Sequence, residues 1–265
     1  MSLKDKVLLQ DKVAVITGGT QGIGKGIAAA FLGEGASVVI SGRNADKGSA
    51  ALDELGGGDR AMFVAGDVRA QADVEGLIDA AVERFGGVHI LVNNAGGSSG
   101  FALVEDLSDE AWQEALDWCL NSTFWATRRA LKPMVAQGFG RIINVSSVEG
   151  KMGNKASVSH YITNKHAVNG FTKAVAFEYG TKGITSNAIC PGAIETALMM
   201  DVGPKYAEGL GMTYEEYKAE YAKESMINRL NTVEEVAAMA VLLASDAGAG
   251  ITGSLLNVDG GTSPW

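Results

Sequence analysis

The feature that most restricts this chain is its alternation. Seven short runs rich in β-branched residues, Val13–Thr17, Ser37–Ser41, Ala61–Ala65, His89–Asn93, Arg141–Ser146, Thr185–Cys190 and Leu255–Val258, are separated mostly by longer amphipathic stretches. Apolar runs without polar alternation suit strands covered on both faces, and strands joined through helices run parallel with right-handed crossovers. The order predicts an α/β fold: a Rossmann-type, doubly wound, largely parallel seven-stranded sheet with helices on both faces. Ligands of such sheets bind beyond the carboxyl ends of the strands, so the residues just after each strand carry the functional argument.

With 46% hydrophobic side chains and four prolines, the 265 residues can bury one large core, and residues 1–265 are read as a single domain. A formal charge of −9 and the absence of any Lys/Arg block argue against nucleic acid as a partner. The two cysteines, Cys119 and Cys190, sit among apolar residues and read as packed thiols. The start, Met1–Lys6, carries charge where a secretory leader needs an apolar region, and no stretch reaches the roughly 18 apolar residues of a spanning helix. A cytoplasmic protein with no membrane partner is expected.

Directly after the first run comes Thr17-Gly18-Gly19-Thr20-Gln21-Gly22-Ile23-Gly24, followed by a helical pattern through Leu32. Glycines let the backbone turn sharply and approach a pyrophosphate, whose charge the free N–H groups of a helix N-terminus can meet. The spacing departs from the common G-x-G-x-x-G, and a glycine-rich turn alone is weak evidence; its place between strand and helix strengthens it. After the second run, where many NAD enzymes present an acid to the ribose, stands Ser41-Gly42-Arg43-Asn44. The missing acid and the guanidinium of Arg43 favour NADP over NAD, although an arginine there can also be simply solvent-exposed. After the third run, Asp67 could accept the adenine amino group and Val68 flank the ring.

Tyr161 and Lys165 are four apart in a helical stretch from about Val158 to Tyr179, which puts phenol and ammonium on one face, where the cation favours the phenolate. Taken alone such a pair is usually a solvated helix face. The fourth run, however, ends in Asn93-Asn94-Ala95-Gly96, and the fifth in Asn144-Val145-Ser146-Ser147, fourteen residues before Tyr161. With the glycine motif, a helical Asn121, and Pro191-Gly192-Ala193-Ile194-Glu195-Thr196 after the sixth run, the chain resembles the short-chain dehydrogenase/reductase family over nearly its whole length.

That resemblance implies an NAD(P)-dependent alcohol dehydrogenase or ketone reductase in which Tyr161 is the general acid/base and Lys165 supports it and holds the nicotinamide ribose. Ser147 would polarise the substrate oxygen, with Ser146 a structural neighbour, and Asn121 would hold a helix open around a water. It further implies that Asn94, Ala95 and Gly96 line the ribose and nicotinamide, that Pro191, Gly192, Ile194 and Thr196 contact the carboxamide side, and that the chain forms a homotetramer through helices near Trp112–Met134 and Val158–Tyr179. No metal is called for. His160 reads as a satisfied or exposed histidine, since adjacent helix residues share no face.

The interval 195–228 is too long for an ordinary connection and carries Tyr214, Tyr217 and Tyr221 at helical spacing, which reads as a substrate lid. Ser98, Glu149, Met152, Leu198 and Met199 are expected to line the substrate, a mainly apolar wall with one acid. If Glu149 faces the pocket it would repel a carboxylate, and if it faces solvent it decides nothing. The expected substrate is a neutral, hydrophobic or alicyclic secondary alcohol and its ketone. The alternatives are a 3-hydroxyacid dehydrogenase of the 3-hydroxybutyrate type and, from another class, a nucleotide-binding regulator without turnover.

Overall fold

Each of the seven apolar runs forms a strand, with ends that differ from the expected ones by no more than one residue. The computed structural model describes residues 7–263, apart from the side chains of Ala197, Leu198 and Val202; the charged start Met1–Lys6 lies outside them. In chain order the elements are β1 (Val13–Ile16), α1 (Gly22–Gly33), β2 (Ser37–Gly42), α2 (Ala45–Leu55), β3 (Ala61–Ala65), α3 (Gln71–Phe85), β4 (Ile90–Asn93) and α4 (Asp109–Leu116). They continue with α5 (Ser122–Gln137), β5 (Gly140–Val145), α6 (Ser159–Tyr179), β6 (Ile184–Pro191), α7 (Ala197–Gly209), α8 (Tyr214–Lys223), α9 (Val233–Ala244) and β7 (Leu255–Val258).

The sheet is parallel throughout, in the order β3-β2-β1-β4-β5-β6-β7. Successive β1 residues show why the runs lack polar alternation. Ala14 and Ile16 pack with Ile27 and Phe31 of α1 and Val236 and Leu243 of α9, whereas Val13 and Val15 pack on the opposite face with Leu77 and Ile78 of α3 and Ala130 and Met134 of α5. Both faces of the strand are therefore core. Phe31 is fully buried, and its truncation to alanine would cost about 3–5 kcal/mol.

The strand order reverses between β1 and β4, and that crevice places the site. The reversal is locked by side chains. Asn93 at the end of β4 donates to Asn144 Oδ1 of β5 at 2.8 Å, and Asn144 donates to Thr172 of α6 at 2.8 Å. One strand end thereby sets the depth of the helix that carries Tyr161 and Lys165.

The helix expected near Trp112–Met134 is interrupted. Between α4 and α5 the chain makes one π turn, Asp117–Asn121, and Asn121 donates to Asp117 at 2.6 Å. The long interval 195–228 folds as the pair α7 and α8. Thr213 and Glu216 form a capping box that starts α8, and Glu195 accepts from Tyr214 at 3.2 Å and pairs with Lys218 at 3.0 Å, tying α8 back to the end of β6.

Candidate active site

A cleft of about 520 Å³ runs along the carboxyl ends of the strands. Gly18, Thr20, Gln21, Gly22 and Ile23 line one side, and Asn94, Ala95, Gly96, Ser147, Tyr161 and Lys165 the middle. Arg43, Asp67 and Val68 stand at one end, and Pro191, Gly192 and Thr196 across from the glycine loop.

The glycine loop is held by a small set of bonds. Gly18 takes a left-handed φ of +65°, which a residue with a side chain adopts only at a cost. Thr17 Oγ1 accepts from the N–H groups of Asn94 and Ala95, each at 3.0 Å, and the Asn94 amide donates to the Thr17 and Gly18 carbonyls at 2.9 and 3.0 Å. Gly24 does not line the cleft but permits this clasp: a Cβ there would lie 2.4 Å from the Gly18 carbonyl oxygen and 2.5 Å from Asn94 Nδ2. The helix that follows has no side-chain cap at Gln21 and no acid in its first turn. Its leading N–H groups and positive dipole end therefore stay available to an anion, so these residues fit the pyrophosphate of a dinucleotide.

At the β2 end, exposed Arg43 is joined by Lys47, so two cations flank the cleft with Asn44 between them. Sequence reasoning found the first and not the second. It also missed Trp118, whose ring packs against Gly97 and lies 5.7 Å from the Arg43 guanidinium, and Arg69, which also lines the cleft. Trp118 projects from the π turn, a feature without a sequence signal of its own. Arg69 changes the reading of Asp67. Its Nε donates to both carboxylate oxygens at 3.1 Å and its Nη2 to one at 2.7 Å. That bidentate pairing holds the Asp67 carboxyl below the usual carboxylate range, so any adenine amino group would share the acceptor.

Ser147 sits in extended backbone just after β5, and its Oγ accepts from the Glu149 N–H at 3.1 Å, which leaves the hydroxyl proton free to donate elsewhere. Ser146 also reaches the cleft, but its hydroxyl donates to the Lys165 carbonyl at 3.3 Å, a contact that joins β5 to α6. Lys165 is buried, donates to the Val145 carbonyl at 2.9 Å, and has its Nζ 5.5 Å from the centre of the Tyr161 ring. Gly96 keeps room for it, since a Cβ there would stand 3.3 Å from that nitrogen. His160 faces the other way: it is fully buried and its Nε2 donates to the Ser99 carbonyl at 2.9 Å.

Several expected residues stand outside the cleft lining. Asn121 lies in the π turn, and Ile194 is buried and bridges Asn231 through its backbone. Ser98, Met152 and Met199 are half-buried, and the Leu198 side chain lies outside the described residues. Glu149 faces neither solvent nor the dinucleotide cleft. It is only 5% exposed, and burial pushes its carboxyl above the ordinary range against the opposing pull of Lys155. Among the described residues no cluster of His, Cys, Asp or Glu could hold a metal ion.

The comparisons with known proteins agree with this geometry. The family model described as short chain dehydrogenase matches residues 12–207. The chain is 38% identical to D-beta-hydroxybutyrate dehydrogenase of Cupriavidus necator, over 96% of this chain and 98% of that one. It is 39% identical to 3beta-hydroxysteroid dehydrogenase of Mediterraneibacter gnavus, over 96% of each. Among solved structures, a variant of actinorhodin polyketide ketoreductase with NADPH superposes with a TM-score of 0.90 at 36% identity, covering all of both chains.

Proposed function

This chain belongs to the short-chain dehydrogenase family, and from that premise we propose an NADP-linked oxidoreductase acting on a neutral, hydrophobic or alicyclic secondary alcohol and its ketone. Hydride transfer is the chemistry that a nicotinamide coenzyme would supply when bound in this cleft. The protein's own share is to hold the reacting carbon near it and to move one proton. Tyr161 is assigned that proton: in oxidation it takes it from the carbinol hydroxyl, and in reduction it returns it to the ketone oxygen. Ser147, with its hydroxyl proton uncommitted within the site, orients the same oxygen. Lys165 provides positive charge beside the phenol and a donor for the ribose hydroxyls. Asn121 is assigned to the proton path through the π turn, a distortion that is frequent at functional sites.

The observation that carries this reading is the convergence of Ser147, Tyr161 and Lys165 in one cleft with an uncapped helix N-terminus. NADP is favoured by Arg43 and Lys47 at the β2 end, where an acid would be needed to hold an unphosphorylated ribose. The segment 195–228 is assigned as the substrate lid, and residues 1–265 as one catalytic domain. A homotetramer is supported by exposed Phe124 on α5 and Phe177, 91% exposed, on α6, apolar surface that a second copy would cover. The cytoplasm suits the two free buried thiols, Cys119 and Cys190, and among the described residues no helix is long and apolar enough to cross a membrane.

A 3-hydroxyacid substrate is the second reading, favoured by the likeness to the hydroxybutyrate enzyme. Charge near Ser147 opposes it. Glu149 is buried two residues away, and Lys155, which approaches it, is already shared with Glu224. Following absorbance at 340 nm with cyclohexanol, a hydroxysteroid and 3-hydroxybutyrate separates the readings. Faster NADP reduction by the neutral alcohols is expected; preference for the acid would reverse the assignment, and no turnover of any would favour a non-catalytic regulator.

A further inference from the structure

The adenosine end of the cleft and the helix that carries Tyr161 are joined by a run of polar contacts that the proposed chemistry does not use. Asp67, after β3, is gripped by Arg69, whose Nη2 donates to its carboxylate at 2.7 Å. Arg69 Nη1 donates in the other direction, to Oε1 of Glu114 on α4. The second oxygen of Glu114, Oε2, accepts from the Ser99 hydroxyl. The Ser99 carbonyl accepts from Nε2 of His160 at 2.9 Å, and His160 is fully buried on α6 beside Tyr161. The run therefore reaches from one end of the cleft to the neighbour of the phenol.

The loop that it crosses, 97–101, continues Asn94–Gly96 from the middle of the cleft. Cys119 fixes its start, since Sγ donates to the Gly97 carbonyl at 3.2 Å and accepts from the Gly97 N–H at 3.3 Å. Phe101 closes it, with its ring 6.2 Å from that of His160. Both contacts are local to the catalytic end. Glu114 differs because one oxygen serves the loop and the other serves the arginine that holds Asp67. A carboxylate committed at both oxygens feels at one what changes at the other.

We propose that Glu114 and Arg69 are positioning residues that couple occupation of the adenosine end to the setting of the 97–101 loop against α6. The inference rests on the reading above that Asp67 stands at the adenosine end of a bound dinucleotide. An adenine amino group donating to Asp67 takes up an acceptor that Arg69 now holds, and the guanidinium then turns its donors toward Glu114. Glu114, so anchored, holds Ser99 more firmly. By linkage, the settled loop favours the bound nucleotide by the same factor. The Arg69 and Glu114 side chains are 33% and 32% exposed, which limits that factor to a few-fold.

The test uses the full chain and adenosine 2′,5′-bisphosphate, which fills the adenosine end and carries no nicotinamide. Amide exchange of the 97–101 loop is measured with and without saturating nucleotide, and the ratio is compared between variants. In the parent, saturation should slow the loop by about threefold to fivefold, the scale of a partly exposed charge network. Glu114→Leu should still bind the nucleotide but bring the ratio to one, and Ser99→Ala should do the same. Glu114→Gln, whose amide still reaches both partners, should keep part of it. Glu110→Gln, which removes a charge from an exposed position one turn earlier on α4, should match the parent. A purely structural Glu114 gives faster exchange in Glu114→Leu with the ratio unchanged, and that result overturns the proposal. So does a parent whose loop does not respond to bound nucleotide; either leaves the reaction class intact. If Glu114→Leu does not fold, Ser99→Ala decides. If only ADP binds, the same ratio is read with ADP, and a parent that binds neither nucleotide overturns the dinucleotide reading beneath the proposal.

Discussion

The glycine loop after β1 and the helical pair α7–α8 after β6 are held together by different materials. Around Gly18 the contacts are backbone groups held by one threonine and one asparagine, and the groups left open there are N–H groups rather than side chains. Around α8 they are side chains: Glu195 with Tyr214 and Lys218, Tyr217 against Tyr221 at a ring distance of 5.1 Å, and Lys155 reaching in from the Ser147 loop. A backbone cradle accepts very few sequences and suits a ligand that never changes. A side-chain wall can be altered residue by residue while the sheet stays as it is, so, with 195–228 as the proposed lid, reaction class and substrate choice would be stored in separate parts of one fold.

Substitution should therefore hurt the cradle most. Gly24→Ala puts a carbon against the Gly18 carbonyl and the Asn94 amide, backbone and clasp together. It should lower stability by about 2–3 kcal/mol. It should also weaken NADPH binding by roughly a hundredfold. Thermal melts and a fluorescence titration check both, and near-parent binding would mean that the clasp is not what shapes the loop. Arg43→Leu comes next, removing the charge-assisted contact proposed for a 2′-phosphate. NADPH affinity should fall by about tenfold or more while NADH affinity barely moves. An equal loss for both coenzymes would assign Arg43 to the shared part of the ligand.

The smallest effect is expected in the wall. Thr213→Ala removes half of the capping box of α8, worth about 1 kcal/mol locally. Amide exchange should quicken in α8, KM should rise a few-fold at constant coenzyme affinity, and the global melt should stay put. A matching fall in coenzyme affinity would erase the division between cradle and wall.

The same division explains what could be read from the sequence. All seven strands were legible because burial on both faces forces unbroken β-branched runs; the glycine loop, Asn94 and Ser147 were legible because they directly follow strands, and Tyr161 and Lys165 because they stand one turn apart on α6. Trp118, Lys47 and Arg69 were not. Trp118 reaches the cleft through a π turn, and Arg69 lines it by turning back on Asp67, neither of which leaves a periodic trace. For Glu149, sequence offered pocket or solvent; its actual place, buried and without a hydrogen-bond donor among the described residues, follows from tertiary packing that leaves no local pattern.

The central claim is that the proton moves through one phenol, and Tyr161→Phe removes only that oxygen. With saturating NADPH and a ketone the parent reduces, kcat should fall by roughly 10²–10⁴-fold with coenzyme affinity preserved. Unimpaired turnover by a folded, NADPH-bound Tyr161→Phe variant would contradict the account.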